Sequence, residues 1–231
     1  PHESIFCGRP SLTNFQVSSW SKMKNYYDPT TTAEAARLML EVAEKYRGNN
    51  NFEYDLVDIV RQAIADRGRI VYNHTIADFK NFDKHSFDKN HKEFLNLLLL
   101  QDKLLGTRKE FRVGNWIEKA RKLGNTPEEK DLYEWNARVQ ITTWGNRYCA
   151  DTGKLRDYAH KEWNGILKDF YYKRWEAYWK TLKDQLEGKP EVILDYYAME
   201  EPWTLDKTPY SSVPEGDAIN VAKEVFEKTF K

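Results

Sequence analysis

The stretch Thr126-Pro127-Glu128-Glu129-Lys130-Asp131-Leu132-Tyr133-Glu134-Trp135-Asn136-Ala137-Arg138-Val139 decides the fold class. A threonine ready to cap, a proline at the first helical position and a glutamate at the third are strong helix-start signals. Leu132, Trp135 and Val139 then recur at helical spacing, so a helix is predicted from Pro127 to a stop near Trp144-Gly145. Upstream, Thr31 to Glu34 reads as a capping box. Ala35, Leu38, Met39, Val42 and Tyr46 follow with a 3.6-residue period until Gly48. A longer helix is predicted over about Tyr54 to Phe79, with Leu56, Ile59, Val60, Ala63, Arg67, Ile70, Val71 and His74 on one stripe. Another covers about Phe87 to Leu105, its face carrying Phe87, His91, Phe94 and Leu98.

Downstream, Leu155, Tyr158, Ala159, Glu162, Trp163, Ile166 and Leu167 predict one helix, and Tyr171, Trp175, Tyr178, Trp179, Leu182 and Leu186 predict the next. Residues 188 to 216 hold four of the eight prolines and read as an extended arm. Asp217 is placed to cap a last helix with Ala218, Val221, Ala222, Val225, Phe226 and Phe230 inward. No segment alternates long enough to demand a strand, and no strand precedes a glycine-rich turn, which excludes Rossmann and P-loop readings. The expectation is an all-α fold: a single helical domain of about seven or eight helices, with a loop-rich N-terminal segment over Ile5 to Asp28.

The chain has 231 residues, enough to bury roughly 70% of its unfolded surface, so a disulfide-dependent miniprotein is excluded. Thirty-six Lys and Arg balance thirty-six Asp and Glu, which removes the electrostatic footprint of a dedicated binder of nucleic acid or anionic membrane. The mean hydropathy of −0.81 is hydrophilic, yet 14% of residues are aromatic, too many for a disordered chain. The longest apolar run is Leu97 to Leu100, far short of the ~18 residues of a membrane-spanning helix, so a soluble chain with no membrane partner is expected. The opening Pro1-His2-Glu3-Ser4-Ile5-Phe6 has neither an initiator methionine nor the pattern of a signal peptide, and points to a processed protein or an excised piece. Cys7 and Cys149 are too few for a disulfide framework and are read as free thiols.

Chemistry is sparse. The five histidines, His2, His74, His85, His91 and His160, form no HExxH and no i, i+4 pair, so no metal is expected and no cofactor is implied. His74 and His91 read as boundary residues of their helices. No GxSxG occurs, and neither cysteine has a distinctive histidine context. Glycoside hydrolysis needs only two carboxylates ~5–9.5 Å apart, and helical neighbours such as Asp55 and Asp58 would suit. Among thirty-six carboxylates, local pairing and solvation explain such neighbours as well. Asn73-His74-Thr75 fits the glycosylation sequon but sits inside a predicted helix. Tryptophan and arginine remain. Flat rings stack on the apolar faces of sugars while guanidinium groups bond hydroxyls. Trp135, Trp163, Trp175 and Trp179 lie on helical stripes and read as core, whereas Trp20 and Trp144 sit in or beside loops, where binding residues concentrate.

Several ordered segments also resemble one family. Arg9-Pro10-Ser11-Leu12 with Trp20 downstream, Phe52-Glu53-Tyr54-Asp55-Leu56-Val57-Asp58-Ile59-Val60-Arg61-Gln62-Ala63, and Leu132 through Trp144-Gly145 are similar to the carboxy-terminal region of α-N-acetylglucosaminidases, glycoside hydrolase family 89. The likeness continues through Leu155-Arg156-Asp157-Tyr158-Ala159, Tyr171-Tyr172-Lys173-Arg174-Trp175 and Gly216-Asp217. The resemblance implies an exo-acting, retaining enzyme that removes terminal α-linked N-acetylglucosamine from glycans. In that family a small α/β domain and a catalytic barrel precede a helical domain, and two barrel glutamates do the chemistry. Residues 1–231 then correspond to the helical domain alone. Its partners are the catalytic barrel of the same full-length enzyme and a glycan ending in α-linked N-acetylglucosamine. The catalytic glutamates lie upstream of Arg9-Pro10-Ser11-Leu12, so no carboxylate here, Glu3 included, inherits their roles, and the isolated chain is expected to be inactive. The resemblance assigns Trp20, and after it Arg9 and Trp144, to the substrate side of the cleft. Arg138 and Tyr158 match the family's motifs and are read as holding helices together. A periplasmic, secreted or lysosomal setting is implied as well. The alternatives are a stand-alone helical module that binds glycans or protein, and an independent helical hydrolase with its own carboxylate pair.

Overall fold

The computed structural model describes residues 4–13 and 27–230. Among them lie eight α-helices: α1 (Pro29–Val42), α2 (Asn50–Lys80), α3 (Lys84–Leu105), α4 (Val113–Arg121), α5 (Pro127–Gln140), α6 (Tyr172–Leu186), α7 (Tyr196–Leu205) and α8 (Ala218–Thr229). No strand occurs among the described residues, only an isolated bridge between Arg112 and Asn164. The all-α expectation holds.

Helix starts follow side-chain caps. The box at Thr126 forms as read: the Glu129 N–H donates to Thr126 Oγ1 at 3.2 Å, and Glu129 Oε2 accepts from the Thr126 N–H at 3.4 Å. Asn49, Asp83 and Asp217 cap α2, α3 and α8 through bonds to Phe52, Ser86 and Asn220. At α1 the expected cap is displaced. Asp28, not Thr31, accepts from the Thr30 N–H at 2.9 Å, and Pro29 follows at the first helical position. The aspartate-proline pair starts the helix one turn earlier, and Glu34 is left to pair with Arg37. The earlier start is accompanied by a different buried face: Ala36 and Ala43 are buried, while Leu38 and Val42 are exposed.

Three further differences bear on function. The helix predicted over Leu155–Leu167 is absent: residues 153–164 form a loop that passes through left-handed backbone at Lys154, Asp157 and His160. Long-range bonds override the apolar period there. The Asp157 N–H donates to Thr142 O at 2.8 Å, and Asn164 exchanges backbone bonds with Phe111 and Val113 at 2.8 and 3.1 Å. Regular structure resumes only as a π-helical turn, Leu167–Tyr171, running directly into α6. The arm over 188–216 is interrupted by α7, which Asp195 caps through the Ala198 N–H at 3.0 Å despite Pro202 within the helix. The short α4 had no cue strong enough to predict it. It is fixed by Trp116, whose indole donates to Ala137 O on α5 at 2.9 Å.

The core lies between α2, α3 and α6, with α8 against α2 and α3. Phe94 and Trp175 have ring centroids 4.5 Å apart, and Trp175 and Trp179 stack at 5.3 Å. Phe6, from the 3-10 turn Ile5–Cys7, inserts edge-on against Phe94 at 5.2 Å, and Trp175 Nε1 donates to Phe6 O at 3.1 Å. Gly68 on α2 makes room for it: a Cβ there would lie 2.5 Å from Phe6 Cζ. The turn Ile5–Cys7 is therefore part of the core. Trp175 and Trp179 are core as expected and Trp163 is half-buried, but Trp135 is 43% exposed. α5 turns Ala137 and Arg138 inward instead, which leaves Leu132 and Trp135 on the outside.

Candidate functional site

At the C-terminal end of α5 the chain reverses. The N–H groups of Thr142 and Trp144 both donate to Val139 O, at 3.1 and 2.8 Å, and Trp144 takes φ 63°. Four of the five non-glycine left-handed residues among those described, Trp144, Lys154, Asp157 and His160, fall in this one loop. Such conformations cost of order 1–3 kcal/mol each and persist only where surroundings enforce them. The loop carries the Trp144 and Tyr158 rings into contact, with centroids 5.1 Å apart and planes inclined by 53°. Trp144 is 39% and Tyr158 53% exposed. Neither the Trp144 indole N–H nor the Tyr158 hydroxyl bonds to a described residue. Tyr148, on the π-helical turn Tyr148–Thr152, is more exposed still.

Beneath these rings lies a buried ion network. Asp157 accepts from Arg174 Nη1 through both oxygens, at 3.1 and 3.0 Å. The same nitrogen reaches Glu200 Oε1 at 2.8 Å, and Arg174 Nη2 donates to Cys7 O at 2.7 Å. Arg9 completes the system: Nε and Nη2 grip Glu200 at 2.8 and 2.5 Å, and Nη1 reaches Asp151 at 2.6 Å. Burial opposes the charge on Arg174, but Asp157 and Glu200 more than offset it and hold the guanidinium above its ordinary range. Burial likewise acts against Arg9, and its bonds to Glu200 raise it. The Cys7 thiol is pushed up by burial. Both cysteines are free thiols. The N-terminal segment, loop 144–160 and α7 are thus tied through four buried or half-buried charged side chains and Asp151.

The sequence-derived candidates separate. Trp20 lies outside the described residues. Trp144 stands at the open rim of the strained loop. Arg9 lies under that loop, with all three guanidinium nitrogens engaged by Glu200 and Asp151. Arg138 is fully buried, bonded to Glu134 at 2.7 and 2.9 Å and stacked on Trp203 with 4.9 Å to the ring centroid, an arrangement that joins α5 to α7. Tyr158 differs from its expected structural role: it has no buried hydrogen bond and pairs with Trp144 at the surface. Asp157, Arg174 and Glu200 went unrecognised as a unit because their separation in sequence hides it. The one local cue was the polar Asp157 beside Tyr158 in an apolar period.

Of the other candidates, Asp58 pairs with Arg61 at 2.9 Å while Asp55 is exposed, and His91 Nδ1 lies 2.9 Å from Phe87 O. Among the described residues His, Cys, Asp and Glu nowhere gather as a metal-ligand set. No described helix is long and apolar enough to cross a membrane.

An all-helical unit with an aromatic rim beside a buried ion network is the class these features define. Residues 1–228 match the family model described as the α-N-acetylglucosaminidase (NAGLU) C-terminal domain. The chain is 30% identical over 228 residues to the α-N-acetylglucosaminidase of Homo sapiens, a match that covers 96% of this chain and 29% of that protein. Its fold superimposes with a TM-score of 0.93 on a family 89 glycoside hydrolase from Clostridium perfringens in complex with PUGNAc, at 33% identity, covering 98% of this chain and 26% of the other. The same score and identity relate it to CpGH89 from that organism in complex with its substrate GlcNAc-α-1,4-galactose, over 97% of this chain and 26% of that one. The chain belongs to the α-N-acetylglucosaminidase C-terminal domain family, and is the helical C-terminal domain of a family 89 glycoside hydrolase. It spans between a quarter and a third of the length of these relatives.

Proposed function

We propose that this chain is the non-catalytic wall of a retaining exo-α-N-acetylglucosaminidase: it packs on a catalytic barrel contributed by the preceding part of the full-length enzyme and helps form the cleft for a glycan ending in α-linked N-acetylglucosamine. The acid/base and nucleophilic glutamates belong to that barrel, so the chain contributes positioning rather than bond breaking. The observation that carries this reading is the outward apolar pair one turn apart on α5, Leu132, 55% exposed, and Trp135. A helix so placed in a well-packed domain offers a docking face. On this reading Leu132 and Trp135 meet the barrel, and Trp144 and Trp20 face the sugar. Arg9 acts through the loop it anchors. The periplasmic, secreted or lysosomal setting belongs to the same proposal.

Sedimentation of this chain with the separately expressed preceding region tests it. A stable one-to-one complex is expected, and Trp135→Glu should abolish it while leaving the melting temperature of the chain alone unchanged. Absence of a complex with the unaltered chain, or one indifferent to Trp135→Glu, would contradict the docking face.

A further inference from the structure

We infer that Arg156 is held ready for a carboxylate on the preceding protein region, with Tyr148 and Ile193 as the apolar rim of that contact; this rests on the proposed wall function and adds a charge-reading contact to it.

Three observations carry the inference. First, the cation is unpaired. The buried arginines each have a carboxylate close by: Arg108 meets Glu110 at 3.3 Å, Arg112 Glu215 at 2.7 Å, Arg138 Glu134 at 2.7 Å and Arg174 Asp157 at 3.0 Å. Arg156 is half-buried in the loop over 153–164 and pairs with no carboxylate among the described residues. Its Nη1 donates to Ala150 O at 3.3 Å, and its Nε is buried without an acceptor. Burial first, and then the charge of Arg9, hold the guanidinium below its ordinary range, with Arg174 adding to the effect. Asp157 and Glu200 pull the other way, but Arg174 and Arg9 already bond them. A charge left in this state is a cost to the chain that a carboxylate from outside would offset.

Secondly, the surroundings have the makeup of a protein interface. The carbonyl that Arg156 bonds belongs to the π-helical turn Tyr148–Thr152, whose Tyr148 is 71% exposed. Arg147, beside Tyr148, reaches Asp195 at 2.7 Å, and two residues before that aspartate Ile193 is 90% exposed. Tyrosine and arginine anchor protein contacts, ringed by neighbours that exclude water. A free anion would leave Tyr148 and Ile193 in water, whereas a protein surface covers them and desolvates the ion pair in the same step. Thirdly, the N-terminal segment crosses this corner. Arg9 Nη1 donates to Asp151 at 2.6 Å, and the Tyr196 hydroxyl donates to Pro10 O at 2.8 Å. On the proposed function the preceding region joins the chain through that segment, which brings its surface within reach of Arg156.

The test compares the unaltered 231-residue chain with Arg156→Met, alone and in complex with the preceding region. Sedimentation should show the complex weakened about tenfold or more by Arg156→Met. Raising salt from about 50 to about 500 mM should weaken the unaltered complex more than the variant one. The melting temperature of the variant chain alone should hold or rise, because an unpaired charge has been removed. In the chain labelled with nitrogen-15, the Arg156 Nε–H resonance, assigned by its loss in Arg156→Met, should move on adding the preceding region and stay in place with glucuronate. A variant that melts lower would show that the cation serves the fold of this chain itself, and would overturn the inference. A resonance that answers to glucuronate and not to the preceding region would give the cation to an acidic sugar and overturn it as well. A complex abolished by Trp135→Glu but indifferent to Arg156→Met would overturn this inference alone, whereas absence of any complex with the unaltered chain would take the wall reading with it.

Discussion

Replacing Arg174 by methionine removes the charge that holds loop 144–160 down while keeping a side chain of comparable reach. Arg174 is 1% exposed and serves Asp157 and Glu200 with one nitrogen and the Cys7 carbonyl with another. Glu200 retains Arg9, but Asp157, itself fully buried, loses both of its bonds to a cation. Breaking a buried pair by removing one member costs about 3–5 kcal/mol, and a carbonyl left without its donor adds about 1 kcal/mol. At ~2–4 °C per kcal/mol for a domain of this size, the melting temperature should fall by roughly 10–15 °C at neutral pH. The deficit should also depend on pH. Burial already raises the Asp157 carboxyl, against the pull of Arg174, and without that arginine the folded-state value rises further above the unfolded one. An acid of this kind binds more protons folded than unfolded, so its contribution is most favourable below the unfolded-state value and is lost as pH rises through the folded-state value. Melting curves followed by circular dichroism from pH 4 to pH 8 should therefore show the variant closest to the unaltered chain at the acid end. A loss below about 1 kcal/mol at neutral pH, or a deficit that does not change with pH, would refute the view that Asp157 depends on Arg174.

Gly68→Ala sets about 1 kcal/mol of helix propensity against the overpacking of Phe6, whose Cζ would lie 2.5 Å from the new Cβ. A net loss near 1 kcal/mol in urea melts is expected, with recovery in Phe6→Leu/Gly68→Ala; a stabilised single variant would mean that Phe6 is not docked on α2. Asp102 accepts from the Gly165 and Lys168 N–H groups, yet burial pushes its carboxyl from 3.8 up to about 6. Stability should decline between about pH 4 and pH 6 by up to about 3 kcal/mol, and Asp102→Asn should flatten that segment of the stability profile; an unchanged slope would assign it elsewhere. Thr126→Ala should cost about 1 kcal/mol by removing the cap of α5, and a loss several times larger would show that Thr126 does more than cap.

What the sequence disclosed followed from local physics. The caps at Thr126 and Asp217 and the aromatic stripe of Trp175 and Trp179 depend on residues within a few positions of one another, and they stand in the structure as read. The loop over 153–164 resisted the same treatment because its apolar spacing is helical while its conformation is dictated by Thr142, Phe111 and Arg174, all distant in sequence. Trp135 misled for a related reason. A stripe in a sequence identifies apolar spacing but not what covers it: Val139 is buried here, while Leu132 and Trp135 point outward. Of the candidate site, Trp144 was visible as a tryptophan beside a loop, whereas its contact with Tyr158 and the Arg9–Glu200–Arg174–Asp157 network underneath required the fold.

Hydrolysis of a chromogenic α-N-acetylglucosaminide tests the central claim most directly, measured for this chain alone, for the preceding region alone, and for the two expressed together. The account predicts no turnover by the chain and full turnover only for the pair. Turnover by this chain alone, or undiminished turnover by the preceding region without it, would contradict the account.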